Sequence, residues 1–324
     1  MNWVIELKNE VLNGKLIDKD EALSLVDAPL EILCDCADEI REKICNNNFD
    51  LCSIVNGKSG KCSENCKFCA QSSFYYTDAA YYPLLAEDEI ISLAKNNIEN
   101  GIFRYSIVTS GKKLNKKELE YMCNVIKKIL ADFDTKICAS FGLLDEDEFR
   151  YIKDAGIVRI HNNLETSRNN FANICTTHTY DDKINSIKAA KRAGLEVCSG
   201  GIMGLGETYE DRIDMALDLR ELGIKSVPIN MLNAISGTPF ENNKKLTIDD
   251  MRRIVAIYRF ILPDASIRLA GGRGLLEDKG KSCFKSGANS AISGNLLTTS
   301  GITIKDDIEM IKDLGYVPGL IDYK

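Results

Sequence analysis

The sequence predicts an α/β fold, a TIM-type (β/α)8 barrel with an additional helical region at its N-terminus. Short β-branched runs alternate with amphipathic stretches, which is the pattern of repeated βα units. The alternation recurs at intervals of about thirty residues and about eight times, and eight parallel βα units close into a barrel. A doubly wound open sheet, which uses the same units, is the alternative architecture.

One domain is expected over residues 1–324, because no low-complexity segment, proline-rich linker or break in composition divides the chain. Residues 1–48 are predicted to form a helical extension that packs on the barrel. Its helical pattern is clearest between Lys19 and Asn46.

The elements follow the barrel order, and each strand is a short run rich in β-branched residues. The predicted strands are Leu51–Val55, Phe103–Val108, Lys136–Ser140, Ile157–Asn162, Glu196–Ile202, Ser226–Met231, Ser266–Leu269 and Asn289–Ser293. Amphipathic helices fill the gaps, at Glu87–Asn100, Asn115–Ala131, Glu146–Ala155, Tyr180–Ala193, Thr208–Leu222, Ile248–Ile261, Gly280–Lys285 and Ile304–Leu314. Helix starts are marked by a hydroxyl three residues before an acid, as in Thr208 with Asp211 and Thr247 with Asp250. Glycines such as Gly194 follow several predicted helix ends, where the left-handed conformation is needed.

Composition and charge narrow the class of function. The 324 residues are 44% hydrophobic and 27% charged, which is enough for a large core. A net charge of -7 opposes nonspecific binding to nucleic acid or to an anionic membrane. No stretch approaches the about 18 apolar residues of a membrane span. We expect a cytoplasmic protein, since no secretory signal is present. In that reducing compartment, twelve cysteines indicate metal ligation or thiol chemistry more than disulfide bridges.

The most informative motif is CSENCKFC, in which Cys62, Cys66 and Cys69 follow one another at short spacing. Three thiolates can hold three irons of a cubane cluster and leave the fourth iron open. The alternative is a structural zinc site, which normally uses paired C-x2-C knuckles with four ligands. No second close pair follows the motif, and the two histidines, His161 and His178, lie about a hundred residues further on.

Polar and sulfur-bearing residues recur along the predicted strands and just after them. In a barrel, active-site residues come from the strands' carboxyl ends and the loops that follow. Singly, each residue is equally well explained as part of the core, where a free cysteine behaves as a small hydrophobe. Together they predict one site, from Cys52, Ser106, Cys138, Asn163, Cys198, Asn230 and Arg268.

The octapeptide resembles the Cx3CxφC signature of radical S-adenosylmethionine (SAM) enzymes, with Phe68 as the aromatic residue before the last cysteine. Over most of its length the chain resembles the biotin synthase family of that superfamily. The resemblance is carried, in this order, by CSENCKFCAQS, HNNLETS, CTTHTYDDK, VCSGGIMGLGET, SVPINML, IRLAGGRG and SGANSAISG.

The resemblance implies a [4Fe-4S] cluster on Cys62, Cys66 and Cys69, with SAM on the open iron. It implies conversion of dethiobiotin to biotin by deoxyadenosyl radicals, and Asn163 and Arg268 join the cysteines as residues expected to serve catalysis. It places Asn163 and Asn230 against the substrate. SAM contacts are implied for Phe68, Ser110, Asn163, Glu165, Lys183 and Gly204.

The family's auxiliary cluster, [2Fe-2S] in its familiar form, supplies the sulfur and is held by three strand cysteines and an arginine. Cys138, Cys198 and Arg268 match three of these four ligands, but Ser106 stands where the fourth is a cysteine. A serine hydroxyl is a poorer iron ligand than a thiolate, because an alcohol gives up its proton less easily. Cys52 on the neighbouring strand is the proposed replacement, with a cluster of altered nuclearity. Competing ligands are Cys34, Cys36, Cys175 and Cys283.

Two other functions remain open from the sequence. One is a related radical SAM enzyme, a hydrogenase-cofactor maturase or a mutase, and the other is a noncatalytic iron-sulfur sensor. The family resemblance further implies a homodimer, an electron donor such as flavodoxin or ferredoxin, and iron-sulfur assembly proteins.

Overall fold

The computed structural model describes residues 2–298 and 301–321. The described strands are β1 Asn48–Lys58, β2 Arg104–Thr109, β3 Lys136–Ser140, β4 Ile157–His161, β5 Glu196–Cys198, β6 Gly201–Met203, β7 Ser226–Met231, β8 Ser266–Leu269, β9 Ser290–Ser293 and β10 Val317–Pro318. The described helices are α1 Asn2–Leu12, α2 Lys19–Ser24, α3 Leu30–Cys45, α4 Glu87–Glu99, α5 Lys116–Asp132, α6 Glu146–Asp154, α7 Arg168–Ile174, α8 Tyr180–Arg192, α9 Tyr209–Glu221, α10 Ile248–Ile261, α11 Lys281–Phe284 and α12 Ile304–Asp313.

The strands form a closed parallel barrel, as predicted. The sheet runs from β1 through β2, β3, β4, β5, β7 and β8 to β9, and β9 pairs back onto β1. The segments β5 and β6 share the fifth position, because both pair with β7. The barrel therefore has eight strand positions, and β10 adds a short parallel strand to the start of β1.

Several predicted boundaries are confirmed to the residue, among them those of β3, β7, β8 and α10. The predicted capping pairs are also present, since Thr208 and Thr247 each accept a hydrogen bond from the backbone N–H three residues on. Helix α7 was not predicted, and α1 lies within the predicted helical extension but before its clearest part. Helix α1 buries Val4, Leu7 and Val11, and the short asparagine-rich α7 is held in place by the burial of Phe171 and Ile174.

Charged residues occupy the amino-terminal end of the barrel interior. Asp50 on β1 is fully buried, and its carboxylate lies 2.9 Å from the Arg268 guanidinium and 3.5 Å from that of Arg104. Arg159 approaches the same oxygen at 3.8 Å. Burial opposes ionisation of Asp50, but the three arginines outweigh it and hold the pKa of the carboxyl below its usual value. This network closes the floor of the barrel beneath the site.

Within the described residues, none of the helices combines the length and apolar character that crossing a membrane would require.

Candidate active site

A cavity of about 430 Å³ opens at the carboxyl ends of the barrel strands. Its upper wall is the loop that carries Cys62, Cys66 and Cys69, and its floor includes Cys198 and Arg268. The same cavity is lined by Phe68, Asn163, Glu165, Lys183 and Asn230. The structure therefore brings most of the residues predicted from sequence into one enclosure, named here the central cavity.

Backbone hydrogen bonds fold the cysteine loop back on itself. The N–H of Cys62 donates to the Gln71 carbonyl at 2.9 Å, and the N–H of Ser73 donates to the Cys62 carbonyl at 2.8 Å. The N–H of Cys69 donates to the Cys66 carbonyl at 3.0 Å. These contacts bring three thiols that are seven residues apart or less in sequence to one wall of the central cavity.

The three thiols suit an iron-sulfur cluster. All twelve cysteines are free of disulfides, so each of these sulfurs is available as a ligand. Burial raises the pKa of Cys69 to about 11, which keeps it a thiol until a metal displaces the proton. Three cysteine sulfurs on one cavity wall match the ligands of a cubane with one open iron.

An unpredicted polar network supports this loop from behind. His178 Nδ1 lies 2.6 Å from a Glu64 carboxylate oxygen and 3.4 Å from Cys175 Sγ, which is 3.7 Å from Cys66 Sγ. The contact between these two thiols raises the pKa of Cys66 and lowers the pKa of Cys175. The sequence gives two weak signals of this network. Glu64 lies inside the cysteine motif, and the CTTH segment contains Cys175 and His178, which are both able to bind metals.

Cys66, Cys175 and His178 are close enough to share a metal ion. Cys66 is also one of the three cysteines of the loop motif, whose spacing suits a cubane better than a zinc knuckle. We therefore assign Cys175 and His178 to the support of the loop. Cys175 lies beside the loop rather than among the predicted auxiliary ligands.

The break between β5 and β6 positions the residues of the HNNLETS segment. Asn163 Oδ1 accepts the N–H of Gly200 at 3.2 Å, and the Glu165 backbone bonds to Gly200 and Ile202. A side chain at position 200 would meet the Pro228 carbonyl oxygen at 1.9 Å, so only glycine fits there. Burial raises the pKa of Glu165, whose Oε2 has no hydrogen-bond partner among the described residues.

Asn230 joins two strands at the cavity wall. Its Nδ2 donates to the Gly201 carbonyl at 3.0 Å, and its Oδ1 accepts the N–H of Gly271 at 2.8 Å. The side chain is therefore fixed in orientation by the barrel. One of its amide hydrogens remains for a bound molecule.

Two residues expected to contact SAM, Ser110 and Gly204, do not line the central cavity. The Ser110 hydroxyl donates to the Gly60 carbonyl at 2.9 Å, and Ser110 lines a neighbouring groove, while Thr109 and Gly111 line the central cavity. Gly204 has a φ of 101° and its N–H donates to Glu207 at 2.9 Å. Both residues shape the loops around the cavity.

Of the residues predicted for a second cluster, Cys198 and Arg268 line the floor of the cavity, and Cys52 and Cys138 are fully buried in the barrel. The Arg268 guanidinium lies 3.1 Å from Cys52 Sγ, and the Ser226 hydroxyl lies 3.2 Å from Cys198 Sγ. Burial raises the pKa of Cys52 to about 12, against the opposing effect of Arg268. Burial alone would raise the pKa of Cys138 as well. His161 and Arg104 outweigh this effect, so the pKa of Cys138 lies below its usual value. Cys138 Sγ in turn lies 3.8 Å from the Arg104 guanidinium, so Cys52 and Cys138 both contact arginines of the Asp50 network.

Ser106 lies on the inner face, where the sequence departs from the familiar ligand set. It pairs with Cys138 on β3 and with Ile54 on β1, and Ile54 lines the central cavity. Cys52 is two residues before Ile54, so it faces the same interior one step lower. The Ser106 hydroxyl is buried and has no hydrogen-bond partner among the described residues. The other competing cysteines, Cys34, Cys36 and Cys283, lie in the hydrophobic core.

Two family profiles together match most of the chain. The Radical SAM superfamily matches residues 58–219, which hold the cysteine loop and β2 to β6. The Biotin and Thiamin Synthesis associated domain matches residues 228–317, which complete the barrel.

Solved structures with the same fold differ widely in sequence. Methylornithine synthase superposes with a TM-score of 0.84 at 18% identity, over 97% of both chains. The FeFe-hydrogenase maturase of Carboxydothermus hydrogenoformans gives a TM-score of 0.82 at 18% identity, over 99% of this chain and 80% of its own. At such identities the likeness supports the barrel fold alone.

Curated relatives are much more similar in sequence. The biotin synthase of Brachyspira hyodysenteriae is 61% identical over 96% of this chain and 93% of its own length. That of Clostridium botulinum strain Alaska E43 is 54% identical over 98% of this chain and 99% of its own. These matches favour sulfur insertion over the maturase and mutase alternatives. The chain belongs to the biotin synthase family of radical SAM enzymes.

Proposed function

We propose that this chain inserts sulfur into dethiobiotin by using the two ends of the central cavity for different parts of the reaction. The observation that carries the proposal is that one cavity reaches from Cys62, Cys66 and Cys69 at its mouth to Cys198 and Arg268 at its floor. SAM and dethiobiotin are the substrates of the family. A substrate bound between mouth and floor lies within reach of a radical from above and of sulfur from below.

At the mouth, Cys62, Cys66 and Cys69 are the proposed ligands of the [4Fe-4S] cluster. When bound, the cluster supplies the electron that splits SAM into methionine and a 5′-deoxyadenosyl radical. The protein's part is to orient SAM and to exclude water. Phe68 and the backbone around Thr109 and Gly111 form the wall against which SAM would lie.

Lys183 and Glu165 are proposed to hold the polar groups of SAM. Lys183 lines the cavity close enough to Cys66 and Glu165 for their charges to interact. A lysine is a point charge without the two-pronged geometry of arginine. Its ammonium suits the SAM carboxylate, and the unpaired Oε2 of Glu165 suits a ribose hydroxyl.

We predict that Lys183→Ala will raise the KM for SAM by roughly tenfold, about 1.4 kcal/mol, the scale of one charged hydrogen bond. Lys183→Arg should keep most of the affinity, because the charge remains. Deoxyadenosine formation at varied SAM concentration measures the change, and Lys188→Ala on the same helix is the control. An unchanged KM in Lys183→Ala would remove the residue from the SAM site.

Asn163 and Asn230 are proposed to bind dethiobiotin. Their amide groups are held by Gly200, Gly201 and Gly271, so they are oriented before the substrate arrives. A ureido ring has both donors and an acceptor, which matches carboxamide side chains. Fixing these groups in advance lowers the entropic cost of binding.

At the floor, Cys52, Cys138, Cys198 and Arg268 are the proposed ligands of the auxiliary cluster. The fit rests on three buried sulfurs and a guanidinium that already approaches one of them at 3.1 Å. Because Ser106 replaces one familiar ligand and Cys52 lies one step lower, the cluster is proposed to differ in its iron or sulfide count from [2Fe-2S]. Its role is to provide the inserted sulfur.

The wider setting is proposed from the family and the composition. A reducing cytosol suits twelve unbridged cysteines. The proposed partners are an electron donor such as flavodoxin or ferredoxin, iron-sulfur assembly proteins and a second copy of the chain. Residues 1–324 are proposed to act as one domain, with residues 1–48 as its helical extension.

The direct test is anaerobic turnover of the reconstituted protein with dethiobiotin, SAM and dithionite. We expect biotin together with deoxyadenosine. Deoxyadenosine without biotin would point to a related radical SAM enzyme with another substrate. Absence of both products from protein with a full complement of iron would refute the proposed function.

A further inference from the structure

A second, strongly basic depression lies beside the central cavity. It has a volume of about 470 Å³ and is named here the lysine groove. It is lined by Lys58, Lys61, Lys112 and Lys113, with Ser63 and Glu118 among the remaining residues. Four lysines face a single carboxylate in a chain whose net charge is -7, so the groove is opposite in sign to the protein as a whole.

Only part of this charge is neutralised by ion pairs. Lys58 pairs with Glu118 at 2.7 Å, and Lys113 pairs with Glu148 at 2.8 Å. Lys112 donates to the Thr177 carbonyl at 3.3 Å, which is a neutral partner. Lys61 lies 4.0 Å above the ring of Tyr81, a tyrosine that is 57% exposed. The groove thus combines positive charge with an exposed aromatic side chain, as protein interfaces often do.

The helix at the rim adds two more lysines in an unfavourable position. Helix α5 begins with exposed Lys116 and Lys117, although the positive end of the helix dipole favours acidic residues there. Helices α4 and α6, in contrast, begin with three acidic residues each. The first turn of α5 contains one acidic residue, Glu118, and the two lysines beside it extend the basic surface outward from the groove.

The groove is adjacent to the proposed [4Fe-4S] ligands. Its wall includes Ser63, which directly follows Cys62, and the Ser110 hydroxyl ties the groove to Gly60 at 2.9 Å. A partner bound in the groove would therefore be separated from the thiols of the cysteine loop by the backbone of that loop. The groove and the central cavity share Gly111, Lys112 and Leu143 as lining residues, so the two are adjacent.

We propose that the lysine groove is the docking site of the electron donor, a small acidic one-electron carrier protein. The inference rests on the proposed function, which requires reduction of the cluster from outside. Each transfer oxidises the carrier by one electron and reduces the cluster by one, and that electron is then used to break the carbon–sulfur bond of SAM. Opposite charges on the two proteins accelerate encounter, and salt weakens this effect.

The test uses a variant that reverses charge at the rim without touching the central cavity, Lys61→Glu with Lys116→Glu and Lys117→Glu. The two helix substitutions place acids where the dipole favours them, so folding should not suffer. The matched control is Lys127→Glu with Lys136→Glu. Both control residues are exposed, at the other end of α5 and at the start of β3.

Deoxyadenosine formation is measured with two kinds of reductant at low ionic strength. One is dithionite, which needs no docking, and the other is the faster of reduced ferredoxin and reduced flavodoxin. The groove variant should lose about tenfold or more of its carrier-driven rate, with a smaller loss at high salt, and retain its dithionite rate. The control variant should match the wild type with both reductants.

A carrier-driven rate equal to that of the wild type would overturn the proposal, as would a wild type reduced by dithionite but by neither carrier. So would binding of the groove to anionic phosphatidylglycerol vesicles with unchanged carrier-driven turnover. If the dithionite rate of the groove variant falls as well, a variant with Lys61→Gln, Lys116→Gln and Lys117→Gln is compared with the wild type in the same two assays. Failure of the wild type with dithionite would refute the proposed function itself and is distinguishable from all of these.

Discussion

Replacing Cys69 with alanine will abolish deoxyadenosine formation with every reductant. Cys69 supplies one of three sulfurs on the upper wall of the central cavity, and a cubane that loses one of three protein ligands has no replacement thiolate in the motif. Biotin formation must stop as well, because the radical is made before sulfur is inserted. Iron content and the electron paramagnetic resonance of the reduced protein measure the loss of the cluster.

The control for this change is Cys123→Ala. Cys123 is also a free cysteine, but it is buried on α5 within the hydrophobic core, whereas Cys69 is half-buried at the cavity wall. We expect that variant to lose about 1 kcal/mol of unfolding free energy and to keep its iron. Deoxyadenosine production by Cys69→Ala at the wild-type rate would remove the cysteine loop from the proposed chemistry.

Replacing Cys52 with alanine will separate the two halves of the reaction. Cys52 is fully buried beside Arg268 in the barrel interior, whereas the cysteine loop, which begins ten residues later in the chain, lies at the cavity mouth. Removal of its sulfur should release the iron of the lower site and abolish biotin formation. Deoxyadenosine should still form, because the upper ligands are untouched. Product analysis of single reactions measures both compounds together.

Cys283→Ala is the matched control for the lower site. Cys283 is also fully buried, on α11 in the hydrophobic core, and it should be replaceable without loss of iron or product. If Cys52→Ala still made biotin and kept all its iron, the lower site would have to use a different set of ligands. A residue other than Cys52 would then have to supply the ligand that is missing at Ser106.

The barrel was predictable because its signals are local. Strand β3 and strand β7 match their predicted limits, and the hydroxyl–acid pair at Thr208 produces the expected cap. The clustering of Cys62, Cys66 and Cys69 on one cavity wall was predictable for the same reason, since the three cysteines lie within eight residues. Local patterns of this kind depend little on the rest of the chain.

The parts that were not predicted depend on contacts between distant segments. His178 reaches Glu64 over a sequence separation of 114 residues, so the fold and not a local motif brings the two side chains together. Similarly, the hydroxyl of Ser110 bonds to Gly60 rather than facing the central cavity. The interruption between β5 and β6 follows from the close approach of Gly200 to the Pro228 carbonyl. Such details need the folded structure.

The central claim is that one cavity holds two separate iron-sulfur sites. It is tested most directly by Mössbauer and iron–sulfide analysis of a variant in which Cys62, Cys66 and Cys69 are all alanine, compared with the same variant carrying Cys52→Ala. We predict that the first protein retains the auxiliary cluster and that the second contains no cluster iron. A first protein without iron, or a second protein that keeps the cluster, would contradict the account.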